Sequence, residues 1–234
     1  DHTYARNAAL IDGFVVDPAA RRIPRLTHAS TDVVHWLALE VAVAALHDTG
    51  LASADLPALR PCVPVGNTLT GELSRSLTLR LRWPFVHRAL ASAGAACEVP
   101  AAQLQALAAQ MEVAFKSVSL PANEDSLAGA LSNTIAGRIC NFLNLRGGGY
   151  TLDGACASSM LAVHAAATAL TCGDLDLALA GGVDVSIDPF ELVGFAKAGA
   201  LAHGQMRVFD RRACGFLPGE GCGFVVLKRL ADAQ

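Results

Sequence analysis

The sequence contains little charge and few aromatic side chains. Only 17% of its 234 residues are charged and 6% are aromatic, whereas 53% are hydrophobic. Such a chain can bury a sizeable core, which excludes intrinsic disorder. Its formal net charge of -3 provides no basic field that would attract phosphate backbones. We therefore expect no nucleic-acid partner.

The cysteines lack the spacing of a disulfide framework or a zinc knuckle. There are seven, an odd number, and no two of them form a C-x-x-C pair. We expect a reducing, cytoplasmic setting and no bound metal, and the first residues show no secretory leader. The longest uncharged stretch, residues 155–173, contains Ser158, Ser159 and His164, so we interpret it as a buried helix and predict no membrane segment.

The alternation of helical and β-type patterns predicts an α/β architecture with a largely buried sheet. The predicted helices are residues 33–46, 100–115, 126–145, 156–172 and 189–197. The predicted strands are residues 61–66, 150–153, 175–182 and 223–227. Because 15 of the 21 glycines lie from Gly137 onward, we expect the tight turns, and the chemistry, in the last hundred residues.

Cys156 is the candidate nucleophile. It follows a predicted strand and begins a predicted helix, with Gly154 two residues before it and Ser158 two residues after it. This is the pattern of a nucleophile elbow, in which small flanking residues allow a sharp strand-to-helix turn. A helix N-terminus stabilises a thiolate and a developing oxyanion. The other six cysteines are interpreted as structural.

Residues 153–159, Asp-Gly-Ala-Cys-Ala-Ser-Ser, resemble the active-site signature of β-ketoacyl synthases, the condensing enzymes of fatty-acid and polyketide synthesis. Four further stretches resemble motifs of that family in the expected order. They are the Asn-x-x-x-Gly-Arg helix at 132–139, the turn at 145–148, the strand at 180–184 and the glycine-rich motif at 209–223. Details such as residues 188–195 look most like the ketosynthase domain of iterative type I polyketide synthases that make enediyne precursors.

The resemblance implies a thiolase-like fold with α-β-α-β-α layers. Residues 1–234 would be a partial ketosynthase domain, mainly its N-terminal half, truncated at both ends and paired as a homodimer. Cys156 would accept an acyl group from the phosphopantetheine arm of an acyl carrier protein, and a decarboxylating malonyl unit would then attack that thioester. The implied partners are the carrier protein and a neighbouring acyltransferase domain, and the domain itself would bind no cofactor.

The same resemblance marks Phe195 and Phe216 as residues beside the nucleophile and the acyl channel, although ordinary core packing explains them equally well. Glu220 is expected to have a structural hydrogen-bonding role. The family's two catalytic histidines follow the nucleophile, but His164 and His203 do not stand in those motifs, and we interpret His164 as a packed helix residue. We therefore expect no condensing activity from these 234 residues alone.

Three alternatives stay open at this point. The chain could be a thiolase-like relative or a thioester hydrolase that uses the same nucleophile. It could be a non-catalytic dimerisation scaffold similar to the chain-length factors, although their nucleophile position is generally not cysteine. It could also be a plain α/β binding module, which would leave the five ordered motifs as coincidence.

Overall fold

The structure is a computed structural model that describes residues 1–51, 55–69, 71–185 and 187–234. The strands are β1 (Pro61–Gly66), β2 (Gly149–Leu152), β3 (Leu177–Asp184) and β4 (Gly221–Leu227). The helices are α1 (Arg25–Ala29), α2 (Val33–Asp48), α3 (Glu72–Leu81), α4 (Trp83–Ala96), α5 (Ala101–Lys116), α6 (Ser126–Ala130), α7 (Thr134–Phe142), α8 (Ser158–Cys172), α9 (Pro189–Lys197) and α10 (Leu230–Ala233). Short 3-10 turns cover Leu56–Ala58 and Ala155–Ala157.

The four strands form one sheet in the order β2-β1-β3-β4. Strand β1 pairs in parallel with both β2 and β3, and β4 runs antiparallel to β3. The central strands β1 and β3 are buried along almost their whole length, but residues of the edge strands β2 and β4 remain partly exposed. The prediction of a largely buried sheet is therefore right for its centre and wrong for its edges, which have a neighbouring strand on one side only.

Helices cover both faces of the sheet. Helix α8 packs on one face, and helices α2 and α7 pack on the other. In β3, Leu177, Leu179 and Val183 point into the core shared with α2 and α7, whereas Ala178 and Ala180 point toward α8. This alternation follows from the two-residue period of a strand. The small alanines allow α8 to lie close to the sheet.

Helix α8 is buried along one stripe only. The stripe consists of Ser158, Ala162, Ala166 and Leu170, which recur at four-residue intervals and face the sheet. Met160, Leu161 and His164 are exposed on its other faces. The prediction that residues 156–172 form a wholly buried helix is therefore wrong, and so is the packed position expected for His164. Only the sheet side of this helix is covered by the described residues.

The apolar stretch Ala155–Cys172 is the one helical segment among the described residues that is long and apolar enough to cross a bilayer. Length and composition alone are weak evidence for a membrane span, because core helices of soluble proteins share them. Here the small residues of α8 pack against β1 and β3.

Residues 126–145 were expected to form one helix, and this expectation is wrong. The segment forms two helices, α6 and α7, because Leu131 adopts an extended conformation between them. The break places Ser132 where its hydroxyl donates to Asn67 Oδ1 and its carbonyl oxygen accepts a hydrogen bond from Thr151 Oγ1 at 2.9 Å. These contacts tie the break to the ends of β1 and β2.

Asp32 joins the beginnings of α2 and α3. Its side chain is buried and accepts hydrogen bonds from the backbone N–H groups of Val34 at 3.1 Å and Leu73 at 2.8 Å. Its own backbone N–H donates to the carbonyl oxygen of Gly129 at 2.9 Å. A Cβ atom at Gly71 would lie 2.5 Å from Asp32 Oδ1, so a larger residue there would have to displace this carboxylate. One carboxylate therefore satisfies N–H groups that two helices would otherwise leave unpaired.

Replacing Asp32 with alanine should lower the free energy of unfolding by about 2–3 kcal/mol, because two buried N–H groups lose their acceptor. Asp32→Asn keeps an oxygen acceptor, so its free energy of unfolding should fall by less. The matched control is Asp12→Ala at an exposed position, which should change stability by less than about 0.5 kcal/mol. Urea denaturation measures all three, and an equal, small loss in Asp32→Ala and Asp12→Ala would contradict the double-capping role.

His35, on α2, is completely buried, and neither of its ring nitrogens has a hydrogen-bond partner among the described residues. Burial, together with the nearby positive charge of Arg138, lowers the pKa of His35 to about 3. The neutral imidazole is thus the form that the folded chain accommodates. An unfolded chain, with the ordinary His pKa near 6.5, binds this proton more readily.

The His35 contribution should make the protein less stable as the pH falls from about 6.5 to about 3, because only the unfolded state takes up the proton in this range. We expect His35→Gln to flatten the pH dependence of the free energy of unfolding over this interval. His47→Gln, at an exposed position on the same helix, should leave the slope unchanged. Equal slopes in the unaltered protein and His35→Gln would refute this prediction.

Candidate functional site

Cys156 lies between β2 and α8, as the nucleophile-elbow pattern predicts. Strand β2 ends at Leu152, and the 3-10 turn Ala155–Ala157 carries the thiol directly into α8. Ala155 has a φ of 50°, in the left-handed region that costs an ordinary residue about 1–2 kcal/mol. The Cys156 side chain is exposed. A sharp turn therefore presents the thiol just before the N-terminus of α8, a helix of 15 residues.

The thiol opens into a cleft of about 480 Å³. Four segments line this cleft, within residues 66–68, 155–159, 182–184 and 219–223. They lie where the parallel strands β1 and β3 end, next to the turn after β2, and where the antiparallel β4 begins. Ligands of parallel α/β sheets bind at this carboxyl edge. The described lining residues include no histidine.

Two glycines allow the first turn of α8 to touch the sheet. A Cβ atom at Gly66 would lie 2.5 Å from the carbonyl carbon of Ser158, and one at Gly182 would lie 2.7 Å from the Cβ atom of Ser159. Neither distance is compatible with ordinary packing, and the atoms involved belong to or adjoin the helix backbone. The position of the Cys156 turn thus depends on the absence of side chains at the ends of β1 and β3.

Asn67 fixes the loop that follows β1. Its backbone N–H donates to the carbonyl oxygen of Leu152 at 3.1 Å, and its Nδ2 donates to the carbonyl oxygens of Val183 at 2.9 Å and Leu69 at 3.1 Å. Its Oδ1 accepts the hydroxyl of Ser132. Sequence analysis did not single out Asn67. The available signal was a polar residue directly after a buried strand.

Ser158 and Asp153 shape the turn itself. The Ser158 hydroxyl accepts a hydrogen bond from the N–H of Gly154 at 2.9 Å and donates to the carbonyl oxygen of Ala155 at 2.6 Å. Asp153 Oδ1 accepts the N–H of Ala155 at 2.9 Å and the hydroxyl of Thr68 at 2.9 Å. These hydrogen bonds lower the pKa of the exposed Asp153, with the Ala155 N–H contributing most. Sequence analysis did not identify Thr68.

Burial raises the pKa of three thiols and so disfavours their thiolate forms. It raises the pKa of Cys140 to about 11 and that of Cys222 to about 12, and it also raises the pKa of Cys62. Cys222 lines the same cleft as Cys156, but its sulfur is partly buried and lies 3.9 Å from the carbonyl oxygen of Leu37. Among the described residues, no group of three or more histidine, cysteine or acidic side chains could hold a metal ion.

Phe195 and Phe216 contact each other but do not line the described cleft. Their rings meet edge to face, with 5.1 Å between centroids. The Phe216 backbone is held by residues on either side of Leu201: its N–H donates to Ala200 O at 3.0 Å, and its carbonyl oxygen accepts from Ala202 N at 2.9 Å. A role of this aromatic pair in substrate binding stays a prediction.

Glu220 and the two later histidines make other contacts. Glu220 Oε2 accepts the N–H of Ile11 at 2.9 Å, and its backbone N–H donates to Ala9 O at 2.8 Å, in keeping with the structural role expected for it. His203 is exposed and stacks on Tyr4 with 4.2 Å between ring centroids. His164 is exposed on α8, and neither histidine lines the Cys156 cleft.

Comparison with known proteins identifies the family. The family model described as the N-terminal domain of β-ketoacyl synthases matches residues 1–233. The chain belongs to the β-ketoacyl synthase family. Its predicted membership, inferred from five short motifs, is therefore confirmed, and the match extends over nearly all of the sequence.

Curated relatives of this β-ketoacyl synthase domain are polyketide synthases. The chain is 47% identical over 110 residues to one component of the phenolphthiocerol/phthiocerol polyketide synthase of Mycobacterium tuberculosis, which is 47% of this chain and 6% of the relative. It is 44% identical over 116 residues to polyketide synthase PksL of Bacillus subtilis, which is 48% of this chain and 3% of the relative. The chain thus matches a small part of much longer proteins.

Solved ketosynthase domains share its fold. An oxazolomycin ketosynthase domain from Streptomyces albus superposes with a TM-score of 0.72 and 25% identity over 99% of this chain and 34% of that one. The ketosynthase from module 6 of the bacillaene synthase of Bacillus subtilis gives a TM-score of 0.63 and 28% identity over 93% and 30%. The predicted thiolase-like α/β fold is confirmed. The enediyne subtype stays a prediction.

Gly66→Ala should destabilise the domain by at least about 2 kcal/mol, because the new methyl group meets the backbone of α8 and one of the two must move. Gly182→Ala should act in the same direction. Gly137→Ala is the matched control, since a Cβ atom there meets nothing within 4 Å and alanine favours the interior of α7 by up to about 1 kcal/mol. Denaturant unfolding distinguishes them, and a neutral Gly66→Ala would contradict the close approach of α8.

Proposed function

We propose that this β-ketoacyl synthase domain elongates polyketide chains and that Cys156 is its acyl-accepting nucleophile. The single observation that carries the proposal is the position of an exposed thiol on the strand-to-helix turn, open to a cleft at the carboxyl edge of the sheet. The described thiols whose pKa burial raises are not suited to this role. The open cleft leaves room for an extended thioester beside Cys156.

In the proposed reaction the Cys156 thiolate attacks the carbonyl carbon of an acyl thioester. The bond between that carbon and the donor's sulfur breaks, the acyl group remains on Cys156, and the donor leaves as a thiolate that takes up a proton from water. A malonyl thioester then releases carbon dioxide, and the resulting carbanion attacks the Cys156 thioester. A carbon–carbon bond forms, the Cys156 thiolate is released, and the product is a β-ketoacyl thioester two carbons longer.

The proposed thioester donor and the malonyl unit are carried on the phosphopantetheine arm of an acyl carrier protein, and a neighbouring acyltransferase domain supplies the malonyl unit. The similarity to named polyketide synthases supports the carrier protein. We further propose a homodimer, a cytoplasmic location, and an iterative enediyne-type synthase as the parent protein. Phe195 and Phe216 are proposed to border the acyl chain of the substrate.

The β-ketoacyl synthase proposal requires groups that stabilise an enolate and a tetrahedral oxyanion as well as the nucleophile. The two histidines that follow Cys156 lie outside its described cleft. The acyl-transfer half of the reaction is therefore the step to test on Cys156. It comes before the condensation, and it requires the Cys156 thiol and the cleft beside it. A non-catalytic scaffold would leave the thiol unacylated.

Full-length protein should become acylated on Cys156 when it is exposed to an acyl-pantetheine thioester. Peptide mapping by mass spectrometry should locate one acyl group on the peptide containing Cys156 and none there in Cys156→Ala. The matched control is Cys97→Ala, which removes another exposed thiol and should leave acylation unchanged. An unmodified Cys156 in folded protein, or acylation of exposed cysteines without preference, would reject the proposed nucleophile.

A further inference from the structure

Thr68 and Asp153 are 85 positions apart in the sequence, yet they meet next to the nucleophile turn. Thr68 belongs to the loop after β1, and Asp153 follows β2. The Thr68 hydroxyl donates to Asp153 Oδ1 at 2.9 Å. The same hydroxyl lies 3.5 Å from the Ser158 hydroxyl, which belongs to the first turn of α8. The Thr68 side chain therefore lies against both ends of the turn that carries Cys156.

One oxygen atom of Asp153 accepts two hydrogen bonds, one from its own turn and one from the loop after β1. Asp153 Oδ1 accepts the N–H of Ala155 as well as the Thr68 hydroxyl, each at 2.9 Å. The first bond closes a local turn from Asp153 to Ala155, and the second fastens that turn to a neighbouring loop. Such local side-chain bonds stabilise turns that the backbone alone would not favour.

The turn requires this support because Ala155 is held in the left-handed region, where a Cβ atom is unfavourable. Strained conformations persist when surrounding contacts over-determine them, and they occur at functional sites. Cys156 is the next residue. A change in the Ala155 conformation would therefore turn the Cys156 side chain away from its present position beside the cleft.

We propose that Thr68 and Asp153 are positioning residues that orient the Cys156 thiol toward a thioester bound in the cleft. This inference rests on the proposed function of Cys156. The hydrogen bond between the two residues, which we name the Thr68–Asp153 clasp, acts through the Ala155 turn and takes no part in the bonds that form and break. Misplacing a nucleophile by about 1 Å can slow a reaction by up to about a hundredfold.

The clasp can be tested by comparing two reactions of Cys156 in the full-length protein. Acyl transfer from an acyl-pantetheine thioester requires an oriented thiol, whereas alkylation by iodoacetamide requires mainly an accessible one. In Thr68→Val we expect acylation about tenfold slower and alkylation within about twofold of the unaltered protein. Thr68→Ser keeps the hydroxyl and should restore acylation. Thr171→Val, on the exposed surface of α8, is the matched control and should change neither rate.

A double-mutant cycle tests whether the two residues act through one bond. Asp153→Ala should slow acylation at least as much as Thr68→Val, and the double variant should be no slower than Asp153→Ala alone. Asp153→Asn keeps an oxygen acceptor and should restore most of the rate. Fully additive losses, or an unchanged acylation rate in Thr68→Val, would overturn the clasp. So would a parallel fall in acylation and alkylation, which indicates general loosening of the fold.

Amide hydrogen exchange separates failure of the clasp from failure of the proposed function. The Ala155 N–H donates to Asp153, so Thr68→Val should accelerate its exchange, whether or not Cys156 is acylated. Unchanged exchange would overturn the clasp directly. If the unaltered protein is not acylated although Thr68→Val accelerates exchange, the proposed function is rejected, and the positioning role is rejected with it.

Discussion

The nucleophile turn depends on the close approach of α8 to the sheet. Gly66 is the last residue of β1, and Gly182 lies near the end of the adjacent parallel strand β3. Backbone atoms of Ser158 and Ser159 occupy the space that a side chain at Gly66 would need, and the Cβ atom of Ser159 occupies the space at Gly182. Farther along the helix, Ala162 and Ala166 continue the same contact with small side chains. Because the helix axis is held this close, the turn that precedes it opens at the edge of the sheet. The placement of Cys156 is thus a consequence of packing.

Local patterns were sufficient to predict most of the elements and the strand-to-helix turn that carries Cys156. Helix α2 has an aspartate at its N-cap, and α9 has a proline at its first position, so both were found nearly to the residue. Helix α8 was predicted with the wrong burial, since apolar composition does not reveal how many sides of a helix are covered. The break before α7 was missed because the contacts that accompany it, those of Ser132 with Asn67 and Thr151, are tertiary.

The remaining parts of the site could not be predicted for a similar reason. Cys156 was identified from seven contiguous residues, but Asn67 and Thr68 reach the same cleft from a loop far away in the sequence. Nothing in the composition of a short polar loop specifies which turn it will contact. Phe195 and Phe216 illustrate the converse case, because the motifs suggested them together and the structure brings them into contact with each other but not with the cleft.

The wide separation of the cleft-lining segments has a kinetic consequence. The walls of the cleft come from residues 66–68, 155–159, 182–184 and 219–223. These four segments come together only after β3 has paired with both β1 and β4. Contacts between distant parts of a chain form slowly, since loop closure must precede them. During synthesis from the N-terminus, the thiol emerges before the last wall of its own cleft. Until that wall is added, Cys156 stands beside a cleft with three of its four walls, and a thioester can make only part of its contacts there.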